Sequence, residues 1–230
     1  MIAPKISIKG SQFRIVNGED ETVLDSSIDV VIVGANPKLS KSWYAEDWSE
    51  DNQSSTPDCY SLDGIHPSKN SHAIQNDMCV SCPQNAWGSR TTPTGNKVKA
   101  CVDQKRLAVV LTEGPFHQAY LLQVTPASLK NLNAYQKELS MRGIVPEIAK
   151  TRISFDTLSE YPKLRFSFRG FNTDVNQKHV DKHLGTKQTR IVTGELAVES
   201  GQSIHSFQSF GFVEEDGFTL TTNELGGSNE

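Results

Sequence analysis

The sequence has no cysteine outside one window of 43 residues, no lysine or arginine after position 190, and no long apolar run. Each absence excludes something. The longest apolar stretches, VVIV at residues 30–33 and the run at residues 107–111, fall far short of the ~20 residues that a membrane-spanning helix needs. The opening MIAPKISIKGS lacks the basic-then-apolar pattern of a secretory signal, so a reducing cytoplasm is the expected compartment and disulfides are not expected. No glycine loop of the phosphate-cradling kind is present. No serine or cysteine has an evident base beside it. The acids near residues 47–51 have no partner cluster for a two-metal centre, and HVDKH at residues 179–183 lacks the glutamate that a zinc hydrolase places after its first histidine. The chain is not expected to be an enzyme.

What is present points to a β-rich, loop-heavy α+β fold. The 230 residues suffice for a real core, and 36% hydrophobic and 22% charged residues with 16 Gly and 10 Pro leave few long helical runs. The formal charge of −4 conceals a segregation. Residues 17–63 hold eleven acids and two bases, residues 97–190 hold sixteen bases and eight acids, and residues 195–230 hold seven acids alone. For a polyanionic partner the local excess of the middle segment matters more than the total, because ordinary salt screens charges beyond about 10 Å.

Along the chain, KISIKG, SQFRIV and SIDVVIVGANP read as strands, and RLAVVLTE and AYLLQVT as a hairpin. Thr125-Pro126 opens a helix with Leu129, Leu132, Tyr135 and Leu139 on one face, stopped by Gly143. KTRISFD and PKLRFSFRGF are again strand-like, the second with Leu164, Phe166 and Phe168 alternating against Lys163, Arg165, Ser167 and Arg169. A short helix is expected over residues 174–184, and a strand or two in QTRIVTGELAVE. Residues 1–200 are expected to form one domain and residues 201–230 a flexible acidic tail.

The four cysteines are Cys59, Cys79, Cys82 and Cys101, in the pattern C-x19-C-x2-C-x18-C. The close pair lies in MCVSCPQNAWGS, and the surrounding residues 58–101 are too rich in Pro, Asn, Ser and Gly to build a core of their own. A two-residue spacing turns both thiolates toward one cation, and two more from distant segments complete a tetrahedron. A structural zinc site is expected, with no position open for catalytic water. Two other readings stand beside it: a redox pair and four unrelated buried thiols. His66 and His72 lie in the same region and are expected to be ordinary loop residues.

The runs DCYSLDGIHPS, CVSCPQNAWGS, GNKVKAC, KRLAVVL, LLQVTPASLKNLNAY and YPKLRFSF resemble a family of tailed-phage single-stranded-DNA-binding proteins with an OB-type barrel. The resemblance covers roughly residues 58–168. It implies an OB-like barrel bearing the zinc-stapled insertion at residues 58–101, a role in DNA replication or recombination, and a site in the host-cell cytoplasm. Single strands are bound largely without sequence preference by a basic groove with aromatic faces for unstacked bases. The candidates are Lys97, Lys99, Lys105, Arg106, Lys163, Arg165 and Arg169, with Tyr120, Tyr161 and Phe171 as the aromatics. Phe155 lies near the same charges. Members of this family carry acidic C-termini that recruit replication proteins, and FVEEDGF at residues 212–218 offers charge with aromatic anchors. The alternative is a zinc-braced structural or interaction protein that ignores nucleic acid.

Overall fold

The computed structural model describes residues 4–46, 56–114 and 118–196. The alternating opening folds into β1 (Lys5–Lys9) and β2 (Gln12–Asn17), extended by β3 (Asp20–Val23). The VVIV run lies in β4 (Ser27–Ala35) and is buried on both faces of the sheet, as a continuous apolar strand requires. The short strands β5 (Ser40–Trp43), β6 (Cys59–Ser61), β7 (Arg90–Thr91) and β8 (Lys97–Val98) belong to the cysteine region. The more regular second half supplies β9 (Val102–Leu111), β10 (Tyr120–Val124), helix α1 (Pro126–Met141), β11 (Ala149–Phe155) and β12 (Leu164–Phe171). Two short helices follow, α2 (Asp174–Asp181) and α3 (Lys187–Thr193).

Ten strands join one sheet, in the order β12-β11-β4-β9-β10-β1-β2-β3, with β5 and β6 attached at the start of β9. Among the described strands, only β1 and β10 pair in parallel. The sheet curls. Phe13 on β2 stacks on Phe155 of β11 at 4.7 Å between centroids, although the two strands stand five places apart in the order. The fold is thus β-rich α+β with a barrel-like, half-closed sheet whose unjoined edges are β12 and β3.

The concave side and α1 share the larger core. Ile28, Val30 and Ile32 of β4, Leu107 and Val109 of β9, and Leu122 of β10 pack with Leu129, Leu132, Tyr135 and Leu139 of the helix. The opposite side is smaller: Val31, Val33, Ala108, Val110 and Leu121 meet Val180 of α2 and Val192 of α3. Gly34 is what lets α3 lie so close, since a Cβ there would stand 2.9 Å from Thr189 Cγ2.

One element differs from expectation. QTRIVTG is helix, not strand, because Thr186 caps it by accepting from Thr189 N at 3.1 Å and Gly194 stops it, which outweighs the β-branched residues between. The acids of residues 47–51 and the tail of residues 201–230, with its FVEEDGF segment, lie outside the described residues.

Candidate metal centre and basic sheet face

The cysteine region hangs from the sheet by β5, which pairs with residues 102–104 of β9 on one side and with β6 on the other. That pairing fixes Cys59, the first residue of β6, relative to Cys101, which directly precedes β9. The close pair is carried by two single-turn 3₁₀ segments, Cys79–Ser81 and Pro83–Asn85. Backbone bonds tie them in: Cys79 N donates to Ile65 O at 2.8 Å, and Cys101 N to Gln84 O at 2.8 Å. Asn85 Nδ2 donates to Cys79 O at 2.9 Å.

All four thiols line one cavity, together with Lys41, Trp43, Tyr60 and Ser61. The cavity is small, about 20 Å³. Among the described residues no group of three or more His, Cys, Asp and Glu side chains is arranged to hold a metal ion as it stands.

The electrostatics bear on what these thiols do. Burial pushes Cys101 up to about 12, with Cys79, Asp103 and Cys82 adding to the push and Lys41 opposing it. Burial likewise raises Cys79, against a hydrogen bond from Ser61. No disulfide joins any pair. Four cysteines lining one cavity are the donor type that suits a thiophilic divalent ion, whose charge would offset the thiolates. Lys41 is itself held by Asp103 and by Asn85 Oδ1, the latter at 3.1 Å. His72 lies 3.9 Å from Asp58 rather than in the cavity, and His66 is exposed.

The candidate nucleic-acid residues divide into two groups. Three are part of the interior. Tyr120 is 1% exposed. Lys105 is buried and donates to Pro37 O at 3.3 Å, and burial lowers its pKa. Arg106 donates to Thr193 O at 2.9 Å and Val192 O at 3.0 Å, closing the C-terminus of α3; burial brings it down to about 10, so it stays charged at neutral pH. Phe155 is likewise spent on Phe13. Lys99 is half-buried and paired with Asp103 at 3.5 Å.

Lys97, Tyr161, Arg165, Arg169 and Phe171 are exposed, with Lys163 half-buried. Arg165 and Arg169 project from the edge strand β12 on the side away from α1. Beside them on β11 stands Arg152, paired with Ser167 in register. Arg152 grips Asp29 with two bonds, Nε to Oδ1 at 2.7 Å and Nη2 to Oδ2 at 2.9 Å, and holds that carboxyl below the usual carboxylate range; Lys150 and Arg169 add to the effect. Arg165 reaches Asp156 at 3.6 Å. Phe171 does not share this side. The register shifts near Gly170, whose φ is +105°, and Phe171 turns back to meet Phe168 edge-on at 5.4 Å. Lys97 sits on the β7–β8 hairpin of the cysteine region, apart from the arginines.

No protein-family model, no curated protein and no solved structure matches the chain. Sequence reasoning missed two residues of the cavity and one exposed aromatic on the turn that follows the cysteine pair. Lys41 and Ser61 reach the thiols through the β5–β6 pairing, which no local pattern announces. Trp87 is 75% exposed, and its only signal is an aromatic residue inside a Pro, Asn and Gly turn without apolar partners at strand or helix spacing.

Proposed function

We propose that this chain is a zinc-braced binder of single-stranded DNA that serves replication or recombination, in line with the phage family it resembles and its OB-type barrel. Phosphates are held on the solvent side of β11 and β12, with Arg165 and Arg169 as the principal contacts and Lys150 and Arg152 beside them. The observation that carries this reading is the concentration of bases on one exposed sheet face of a chain whose net charge is −4. Such a face contributes salt-sensitive, sequence-independent affinity. Zinc, held by Cys59, Cys79, Cys82 and Cys101, supplies no chemistry and braces residues 58–101 against the sheet. The acidic tail recruits replication proteins.

The test is fluorescence anisotropy of a labelled single-stranded oligonucleotide at low and moderate salt, beside a matched duplex. Binding that prefers the single strand and falls steeply with salt is expected, and the double variant Arg165→Ala, Arg169→Ala should reduce the salt slope by about two phosphate contacts. No binding at low salt by folded, metal-loaded protein would remove the proposal. A second reading, the interaction protein, is favoured by one observation: Met78, Val80 and Trp87 around the cysteine pair are 44%, 77% and 75% exposed. A protein that ignores single strands and loses a protein partner on Val80→Asp would establish it.

A further inference from the structure

We infer that the turn carrying Trp87 is a base-stacking site for single-stranded nucleic acid, with the Lys97 ammonium beside it for a phosphate. This rests on the single-strand reading above and adds a contact on the cysteine region, away from the sheet face.

An indole is among the groups that gain most from burial, yet Trp87 stands 75% exposed. Its backbone is not loose. Ala86 N donates to Pro83 O at 3.2 Å, Gly88 N to Val98 O at 3.2 Å, and Ser89 N to Ala86 O at 3.2 Å. The Ser89 hydroxyl closes the turn a second time, donating to Gln84 O at 2.9 Å and accepting from Ala100 N at 2.8 Å. A ring presented on a turn braced in this way loses little freedom on binding, which favours affinity.

The neighbours select the ligand. Ala86, Gly88 and Ser89 are small, so a flat group meets no rim of large side chains on the turn itself. Lys97, opposite Thr91 in the β7–β8 hairpin, runs its methylenes past Gly88: a Cβ there would stand 3.6 Å from Lys97 Cδ. Residues 83–101 contain three bases, Arg90, Lys97 and Lys99, and no acid. A planar aromatic face beside the exposed Lys97, in a stretch without acids, matches a nucleobase on its phosphate better than an acidic or purely apolar protein side chain.

The turn and the arginine face occupy different ends of the molecule. The cysteine region attaches at the start of β9, beyond Ala35, whereas Arg165 pairs with Ser154 and through it with Ser27 at the other end of β4. The nine residues of β4 span roughly 30 Å at ~3.4 Å per residue, with Arg165 level with the Ser27 end and Arg169 near the middle, beside the Phe168–Thr151–Val30 row. Base contact and phosphate contact are therefore separable by mutation.

The experiment compares full-length wild type, Trp87→Ala, Trp87→Phe and the Arg165→Ala, Arg169→Ala double variant. Each is titrated against a labelled thymidine oligonucleotide and an abasic oligonucleotide of equal length, with circular dichroism confirming the fold. Trp87→Ala should weaken the thymidine complex about tenfold and leave the abasic complex unchanged, with Trp87→Phe retaining most of the affinity. The arginine variant should weaken both complexes alike. Wild-type protein that binds no thymidine strand overturns the single-strand reading and this inference with it. Wild-type binding that Trp87→Ala does not alter, or that it weakens equally on both strands, overturns this inference alone. Unchanged DNA affinity with a shift in sedimentation coefficient on Trp87→Ala would make the turn a contact between copies of the chain.

Discussion

Strand β9 buries Leu107, Ala108, Val109, Val110 and Leu111 in succession, whereas across the whole of residues 58–101 only Ser61, Cys79, Ala100 and Cys101 are buried. The first region is held by apolar surface removed from water on both sides of a sheet. The second has almost none to remove. It relies on side chains that bond to backbone, such as Asn85, Ser89 and Ser71. Such bonds each contribute only about 1 kcal/mol net, which is little against the entropy of ordering 44 residues. The difference teaches that the cysteine region is a dependent of the sheet, and the proposed zinc is what would bring it to a single conformation.

The largest expected effect falls on the sheet. Leu107→Ala should cost about 2–5 kcal/mol in urea unfolding, because the side chain is 0% exposed at the centre of the larger core. Zinc content per folded chain should stay unchanged; a variant that loses metal in step with stability would mean that the two regions are not separate.

Asn36 joins the two regions. It is buried, its amide donates to Leu62 O at 2.9 Å and Thr193 O at 3.1 Å, and its Oδ1 accepts from Lys38 N at 2.9 Å. Asn36→Ala removes the amide that Leu62 O accepts from and leaves Thr193 O to Arg106 alone, and should cost about 1–3 kcal/mol. Amide exchange should rise at residues 61–63 more than at residues 107–111. Equal rises would show that Asn36 acts only on the core.

The smallest effect is on acid stability. The folded-state pKa of Asp29 is depressed by Arg152, so its contribution is complete above the ordinary value of 3.8 and is lost as pH falls through the lowered one. Wild type should therefore exceed Asp29→Asn in urea midpoint at neutral pH, with the gap closing below about pH 4. A gap that is constant with pH would assign the difference to shape rather than charge.

Much of the sheet was legible because period-two alternation and turn residues mark β1, β2, β11 and β12, and a Thr-Pro start with apolar spacing marks α1. What alternation could not reveal is which polar residues a doubly covered sheet keeps for itself. Lys105, Arg106 and Tyr120 sit on β9 and β10, strands buried on both sides, so their polar atoms serve carbonyls and neighbouring side chains inside the protein. Arg165 and Arg169 sit on an edge strand, where alternation does separate core from solvent. Phe171 escaped because one register shift reverses the side of every later residue. The cysteine spacing pointed to a metal site, and the structure shows all four cysteines lining one cavity. Lys41 and Ser61 were invisible because they arrive by strand pairing across a long stretch of sequence.

The most direct test of the division between core-held sheet and sulfur-held insertion is hydrogen–deuterium exchange of the full chain, with metal content measured in the same sample, before and after treatment with a zinc chelator. The account predicts one zinc per chain beforehand. After chelation, peptides within residues 58–101 should lose protection while those of β4 and β9 at residues 107–111 keep theirs. Protein that carries no zinc, or whose two regions gain or lose protection together, would contradict it.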